Sequence, residues 1–243
     1  MINNPNLDNI LTKLKVFVDG ADIESTKEMI EKYHVKGFTT NPTLMRKAGI
    51  TNYESFARKF VLYVVPLPVS LEVFADNSVE MEKQAKIING WGRNIYVKIP
   101  IMNTEGIQMD SLIKKLCKEE MKINATAVFT KRQIDSLYNC FNSEIPAIVS
   151  IFAGRIADTG QNPEENVRYA VEKFKDKPNV EILWASTREV YNVVQANNAG
   201  AHIITIQNSM IPKLSSIGKN LEDFSRDTVI QFRNDALESR YII

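Results

Sequence analysis

The sequence predicts an α/β fold, specifically a single-domain (β/α)8 barrel with one extra C-terminal helix, and three observations lead there. Short apolar, β-branched runs alternate with amphipathic stretches about eight times along the chain. Strands separated by helices pair in parallel through crossovers, which build either an open doubly wound sheet or a closed barrel. Eight such units in 243 residues favour closure.

The predicted strands are Lys15–Asp19, Gly37–Thr40, Val69–Phe74, Ile95–Ile99, Ile123–Val128, Ala147–Phe152, Glu181–Ala185 and His202–Ile206. Each is four to six residues long and bounded by polar or turn-forming residues. The helices between and after them are read at Ile23–Tyr33, Ser55–Tyr63, Val79–Ile88, Gly106–Cys117, Lys131–Phe141, Glu164–Phe174, Glu189–Ala196 and Met210–Ile217, from apolar residues spaced three and four apart. Asp76-Asn77-Ser78 reads as a helix N-cap. The interval Pro42–Pro68 is the longest between strands. A last helical pattern, Leu221–Tyr241, either packs on the barrel or reaches a neighbouring subunit. No repeat, low-complexity tract or linker divides residues 1–243, so one domain is expected.

Composition narrows the partners. Thirty basic and 29 acidic residues leave a net charge of +1, so no overall field draws the chain to nucleic acid or an anionic membrane. Any bound anion must be held locally. No apolar run approaches the roughly 18 residues of a membrane helix, and the polar start Met1-Ile2-Asn3-Asn4 lacks a secretory pattern, so the chain reads as cytoplasmic. Cys117 and Cys140 fall in helical patterns without metal-ligand spacing and read as buried thiols. With only His34 and His202, a zinc-dependent aldolase site has too few ligands, so no metal is expected. A Gly-x-Gly-x-x-Gly turn, a Walker loop and a serine nucleophile elbow are all missing from the sequence, so no nucleotide cofactor is expected.

Barrels of this kind gather their chemistry at the carboxyl ends of the strands, and reactive residues fall there. Asp19 ends the first strand, Thr39-Thr40-Asn41 the second, and Glu72 lies in the third. Lys98 lies in the fourth, Asn124 and Thr126 in the fifth, and Ser150 in the sixth with Arg155 just beyond. Ser186 and Arg188 follow the seventh. Lys98, in Val97-Lys98-Ile99-Pro100, is the sharpest signal: desolvation or a nearby cation disfavours the charged form and frees an amine able to attack a carbonyl. A lysine at a strand end can equally snorkel to solvent. Asp19 and Glu72 would face the same cavity and relay protons through water. Asp19-Gly20 is also a common turn pair, whereas Glu72 has no such alternative beside a core strand. Arg155 and Arg188, with Ser186 read as the start of a helix, suit a phosphate, although either arginine alone is as well explained as a solvated side chain.

Seven motifs in order carry a resemblance: Val18-Asp19-Gly20-Ala21, Thr39-Thr40-Asn41-Pro42-Thr43, Val69-Ser70-Leu71-Glu72-Val73, Val97-Lys98-Ile99-Pro100, Asn124-Ala125-Thr126, Ser150-Ile151-Phe152-Ala153-Gly154-Arg155 and Ala185-Ser186-Thr187-Arg188. From Lys15 to about Gly218 the chain resembles the transaldolases in their shorter form, relatives of the fructose-6-phosphate aldolases. The resemblance implies that Lys98 forms a Schiff base, that Glu72 and Thr126 hold a proton-shuttling water, and that Asp19 is acid or base in cleavage. It also implies Asn41 and Asn124 on sugar hydroxyls, Ser150 lining the site, and Arg155, Ser186 and Arg188 on the substrate phosphate, with no cofactor.

Aldolases of this group typically carry Gln at Glu72 and Tyr at Phe152, so both positions resemble a transaldolase, which passes a dihydroxyacetone unit between sugar phosphates instead of releasing it. Ile151 and Trp184 depart from the usual residues and would reshape the pocket. Short relatives often form rings, so a homo-oligomer is expected. The competing readings are an aldolase releasing dihydroxyacetone, an enzyme for an unusual sugar phosphate, and a barrel that binds sugar phosphates without turnover.

Overall fold

The computed structural model describes residues 4–20, 26, 29–31, 33 and 35–240. Eight parallel strands close into a barrel in chain order, the first pairing with the last. They are β1 (Lys15–Asp19), β2 (Gly37–Thr39), β3 (Val69–Glu72), β4 (Ile95–Pro100), β5 (Ile123–Val128), β6 (Ala147–Ile151), β7 (Val180–Trp184) and β8 (Ile203–Gln207). Around them run α1 (Pro5–Leu11), α2 (Pro42–Lys47), α3 (Tyr53–Val64), α4 (Ser78–Asn89), α5 (Asp110–Lys118), α6 (Lys131–Tyr138), α7 (Ala153–Ala157), α8 (Glu164–Lys173), α9 (Tyr191–Asn198) and α10 (Leu221–Ser239). A 3-10 helix, Asn208–Ser216, follows β8. Among the described residues no helix is long and apolar enough to cross a membrane.

All eight expected strands are present, and the departures at their ends have local causes. β3 stops at Glu72 because the N–H groups of Phe74 and Ala75 donate to the Gln84 side chain instead of a ladder. β6 stops before Phe152, which caps α7. The helix expected from Gly106 starts at Asp110, since Asn103 Oδ1 accepts from Glu105 and Ile107 and Met102 bridges Gln108. Asn77 caps α4 as expected, its side chain accepting from the N–H of Glu80.

The helix expected at Met210–Ile217 is the 3-10 helix Asn208–Ser216, with Pro212 inside it lacking the N–H an α-helix needs. The helix read at Ile23–Tyr33 falls largely outside the described residues, as do His34 and Ala21; Thr26, Met29, Ile30, Glu31 and Tyr33 are helical. The long interval after β2 holds two helices, α2 and α3, each capped by an asparagine side chain. α1, α2 and α7 were not expected from the sequence.

Two apolar regions hold the barrel. The larger lies between strands and helices and draws on nearly every element, including Phe38, Phe60, Leu71, Ile99, Ile113, Phe174 and Trp184. The smaller, Phe17, Ile148, Leu183, Ala185 and Ile203, fills the lower lumen, with Tyr96 and Phe152 against it. Gly37 is required there, because a Cβ at that position would meet the Phe17 ring at 2.5 Å. α10 is different: none of its residues is buried, and Phe224, Val229, Ile230, Phe232 and Leu237 are exposed.

Candidate active site

Side chains alternate along a strand, so the inward residue two places beyond each floor residue points into the upper lumen. There Asp19, Thr39, Glu72, Lys98, Thr126, Ser150 and Thr205 surround a cavity of about 460 Å³. Its mouth is lined by Asn41, Lys47, Phe152, Arg155, Ser186, Arg188 and Gln207 from the loops and strand ends.

Lys98 is the buried cation of this chamber, 7% exposed. Its Nζ lies 3.3 Å from Glu72 Oε2 and donates to the Thr40 carbonyl at 2.8 Å. Register explains the pair: Glu72 and Lys98 are partners across β3 and β4. Tyr53 of α3 donates to the Glu72 carbonyl at 3.2 Å, fastening the end of β3.

Asp19 sits across the lumen with a dense set of donors. Thr39 Oγ1 donates to its Oδ1 at 2.9 Å, and the Asn41 amide donates to Oδ2 at 3.2 Å. Burial pushes the Asp19 carboxyl above the ordinary 3.8; the Lys98 charge and the Thr39 and Asn41 hydrogen bonds oppose that, and Glu72 adds to it. The turn reading of Asp19-Gly20 does not account for a carboxylate held this way. Asn41 meanwhile caps α2, its Oδ1 accepting from the Leu44 N–H at 3.0 Å, so the helix fixes the amide that faces Asp19.

On β5 the Thr126 hydroxyl is buried and has no hydrogen-bond partner among the described residues. A register shift between Ala125 and Val128 and a left-handed Ala127 (φ 58°) mark a bulge directly after it. An alanine in that conformation costs about 1 kcal/mol, and such strain is stored where a side chain must be aimed. Asn124 is fully buried below the cavity wall, accepting from Ser150 at 2.7 Å and donating to Ser70 at 2.9 Å, so it braces three strands.

The anion-binding side is built by the loops after β6 and β7. Arg155 lies over the Phe152 ring at 5.6 Å and has no ion-pair partner among the described residues. Arg188 pairs with Asp158 at the end of α7, and that guanidinium holds the Asp158 carboxyl below its ordinary value. Ser186 does not begin a helix: it has a left-handed backbone (φ 63°), and α9 starts only at Tyr191. The Asn192 side chain accepts the N–H groups of Arg188 and Glu189 and delays the helix. Gly154 lets the two loops touch, since a Cβ there would lie 1.6 Å from the Ser186 carbonyl oxygen.

Sequence reasoning left several participants without a role. Thr205 is a lone polar residue in the apolar strand Ile203-Ile204-Thr205-Ile206, the same signal that singled out Lys98. Its hydroxyl lies 2.7 Å from that of Thr39. Lys47 and Gln207 line the mouth with no comparable signal, being ordinary polar residues at element ends.

Comparison with known proteins agrees with this geometry. The family model for transaldolase/fructose-6-phosphate aldolase matches residues 16–240. A probable transaldolase of Dehalococcoides mccartyi is 34% identical over 194 residues, covering 79% of this chain and 86% of that one. A probable transaldolase 2 of Listeria monocytogenes is 34% identical over 221 residues, covering 88% and 95%. One of Thermoplasma volcanium is 35% identical over 215 residues, covering 88% and 93%. Among solved structures, 2,3-dimethylmalate lyase superposes with a TM-score of 0.56 at 10% identity over 92% of this chain and 86% of that one, which shows a shared barrel alone. With a family match that runs nearly from end to end and relatives at a third identity, the chain belongs to the transaldolase/fructose-6-phosphate aldolase family.

Proposed function

We propose that this chain is a transaldolase. It moves a dihydroxyacetone unit from a ketose phosphate, sedoheptulose 7-phosphate or fructose 6-phosphate, to an aldose phosphate, glyceraldehyde 3-phosphate or erythrose 4-phosphate. The observation that carries the reading is the buried Lys98 amine, 3.3 Å from Glu72 in a chamber whose mouth holds Arg155 and Arg188.

The chemistry follows from those groups. Lys98 Nζ adds to the ketose C2 carbonyl, and the carbinolamine loses its hydroxyl as water, with Glu72 and Thr126 passing protons through a water molecule. Asp19 as carboxylate takes the proton of the C4 hydroxyl. The C3–C4 bond then breaks, its electron pair moves into the iminium to leave an enamine on Lys98, and the aldose phosphate departs. An acceptor aldehyde reverses these steps: enamine C3 bonds to the aldehyde carbon, Asp19 returns its proton to the new hydroxyl, and water frees the ketose. Burial makes Asp19 a stronger base than an exposed aspartate, which suits this exchange.

Asn41 and Asn124 would contact sugar hydroxyls, with Ser150, which donates to Asn124, lining the site beside them. Arg155, Ser186 and Arg188 would hold the phosphate. Phe152 offers no hydroxyl to protonate the enamine, so the three-carbon unit waits for an acceptor, which favours transfer over release of dihydroxyacetone. α10, none of whose residues is buried, supports a homo-oligomer in which a neighbouring copy covers it.

Borohydride added with fructose 6-phosphate should fix a three-carbon adduct on Lys98, located by peptide mass analysis. An unmodified lysine alongside normal turnover would rule out the imine. Dihydroxyacetone released without erythrose 4-phosphate as fast as transfer proceeds with it would identify an aldolase instead.

A further inference from the structure

Asp19 must give up and recover a proton in every cycle, so its partners set how readily it does so. Two of them, Thr39 and Asn41, touch it directly. A second hydroxyl lies behind Thr39: Thr205 Oγ1 is 2.7 Å from Thr39 Oγ1, in the buried interior. Either oxygen fits as donor by distance alone, but proton counting selects one direction. Thr39 has a single hydroxyl proton and spends it on Asp19 Oδ1 at 2.9 Å. The proton between the two threonines must then come from Thr205, which gives a one-way chain, Thr205 to Thr39 to Asp19.

We infer that Thr205 is a positioning residue for the proton-transfer step: by donating to Thr39 it commits the Thr39 hydroxyl to the Asp19 carboxylate and stabilises that carboxylate as the base. The inference rests on the transaldolase reading of Asp19 and adds a residue to it. Chained hydrogen bonds polarise one another, so Thr39 donates more strongly with Thr205 behind it than alone. When Asp19 carries the proton the chain loses its charged terminus, so the gain applies to the ionised form.

The geometry holds Thr205 for this task. β8 pairs with β1 so that Phe17 faces Thr205 and Asp19 faces Gln207 in register. The Thr205 carbonyl accepts from Thr187 Oγ1 at 2.7 Å, and Thr187 belongs to the same loop as Ser186 and Arg188. The strand that carries the relay is thereby tied to the loop that would take the phosphate. Among the described residues, the charged groups around Asp19 are Lys98 of β4 and Glu72 of β3 in the chamber, with Lys47, Arg155 and Arg188 at its mouth. None lies between Thr205 and Thr39, so the threonine chain can be altered without removing a charge.

The test compares the parent with Thr205→Val, which keeps the shape and deletes the hydroxyl, Thr205→Ala, which deletes it with less bulk should Val fold poorly, and Thr205→Ser, which restores it. Two readouts are followed against pH: kcat/KM for transfer from fructose 6-phosphate to erythrose 4-phosphate, and the Asp19 carboxyl carbon by NMR. The expected result is an acid limb and an Asp19 titration displaced upward by about half a pH unit in Val and Ala, with Ser returning to the parent. The substrate phosphates titrate alike in all variants and drop out of the comparison. Profiles that superpose, or a Ser variant that behaves like Val, would overturn the role. If the parent itself traps no adduct under borohydride, the transaldolase reading fails, and the NMR titration still decides whether Thr205 acts on Asp19.

Discussion

The lower and upper halves of the barrel lumen are built by the same strands, two residues apart, and on four of those strands the chemistry changes sharply between them. Phe17 gives way to Asp19, Tyr96 to Lys98, Ile148 to Ser150, and Ile203 to Thr205. Each step is about 6.6 Å along a strand. The floor is close-packed and largely apolar, with Ser70 and Asn124 as its hydrogen-bonded polar members, down to a glycine that exists to admit an aromatic ring. The chamber above holds two carboxyls and an amine. Inward positions therefore divide by height: low ones hold the barrel together, and high ones, resting on them, are free to carry groups that a core would not tolerate.

Paired substitutions test that division. Lys98→Met should lower transfer activity by on the order of 10³-fold or more while the barrel stays folded, checked by a coupled assay beside circular dichroism. Phe17→Ala should do the reverse, costing about 3–5 kcal/mol in denaturant unfolding with Lys98 still trapping substrate in the folded fraction. A Lys98 variant as unstable as the Phe17 one would erase the distinction between floor and chamber.

Gly154→Ala sharpens the picture at the mouth. Its methyl would meet the Ser186 carbonyl at 1.6 Å, so the two arginine-bearing loops must separate. KM for the phosphorylated ketose should rise about tenfold with a smaller change in kcat, since positioning of the phosphate is what is lost. The smallest effect belongs to the floor's outer edge. His202 Nδ1 accepts from the Ile182 N–H at 2.9 Å, and burial holds its pKa below the usual 6.5. The unfolded chain therefore binds the proton more readily, so stability is complete above pH 6.5 and declines as pH falls through and below it. Urea midpoints between pH 7.5 and 5.5, compared with His202→Gln, would show the decline flattened in the variant.

Much of this was readable in the residues themselves. The strands were legible because β-branched runs flanked by turn residues are local signals, and Lys98 because a charge in such a run stands out. Legibility failed where partners are distant in sequence. Nothing in Arg188 announces that Asp158 will hold it, and nothing in Asn124 that Ser70 and Ser150 will take both ends of its amide. Ser186 reads as a helix start, but the Asn192 side chain that postpones the helix lies six positions on. α7 was missed because a five-residue helix has too few turns to show a period.

The closure of β1 onto β8 reaches beyond catalysis. Runs such as Ile203-Ile204 or Ala147-Ile148-Val149 would, on an open sheet, offer unsatisfied backbone groups to any passing strand and seed fibrous aggregates. Ring closure leaves no such margin among the strands, and it lets them stay intensely β-forming. α10 carries several exposed apolar residues together, among them Phe224, Val229, Ile230, Phe232 and Leu237, on a backbone satisfied within the helix itself. Stickiness there sits on an element that can mate side chain to side chain but cannot template a growing sheet.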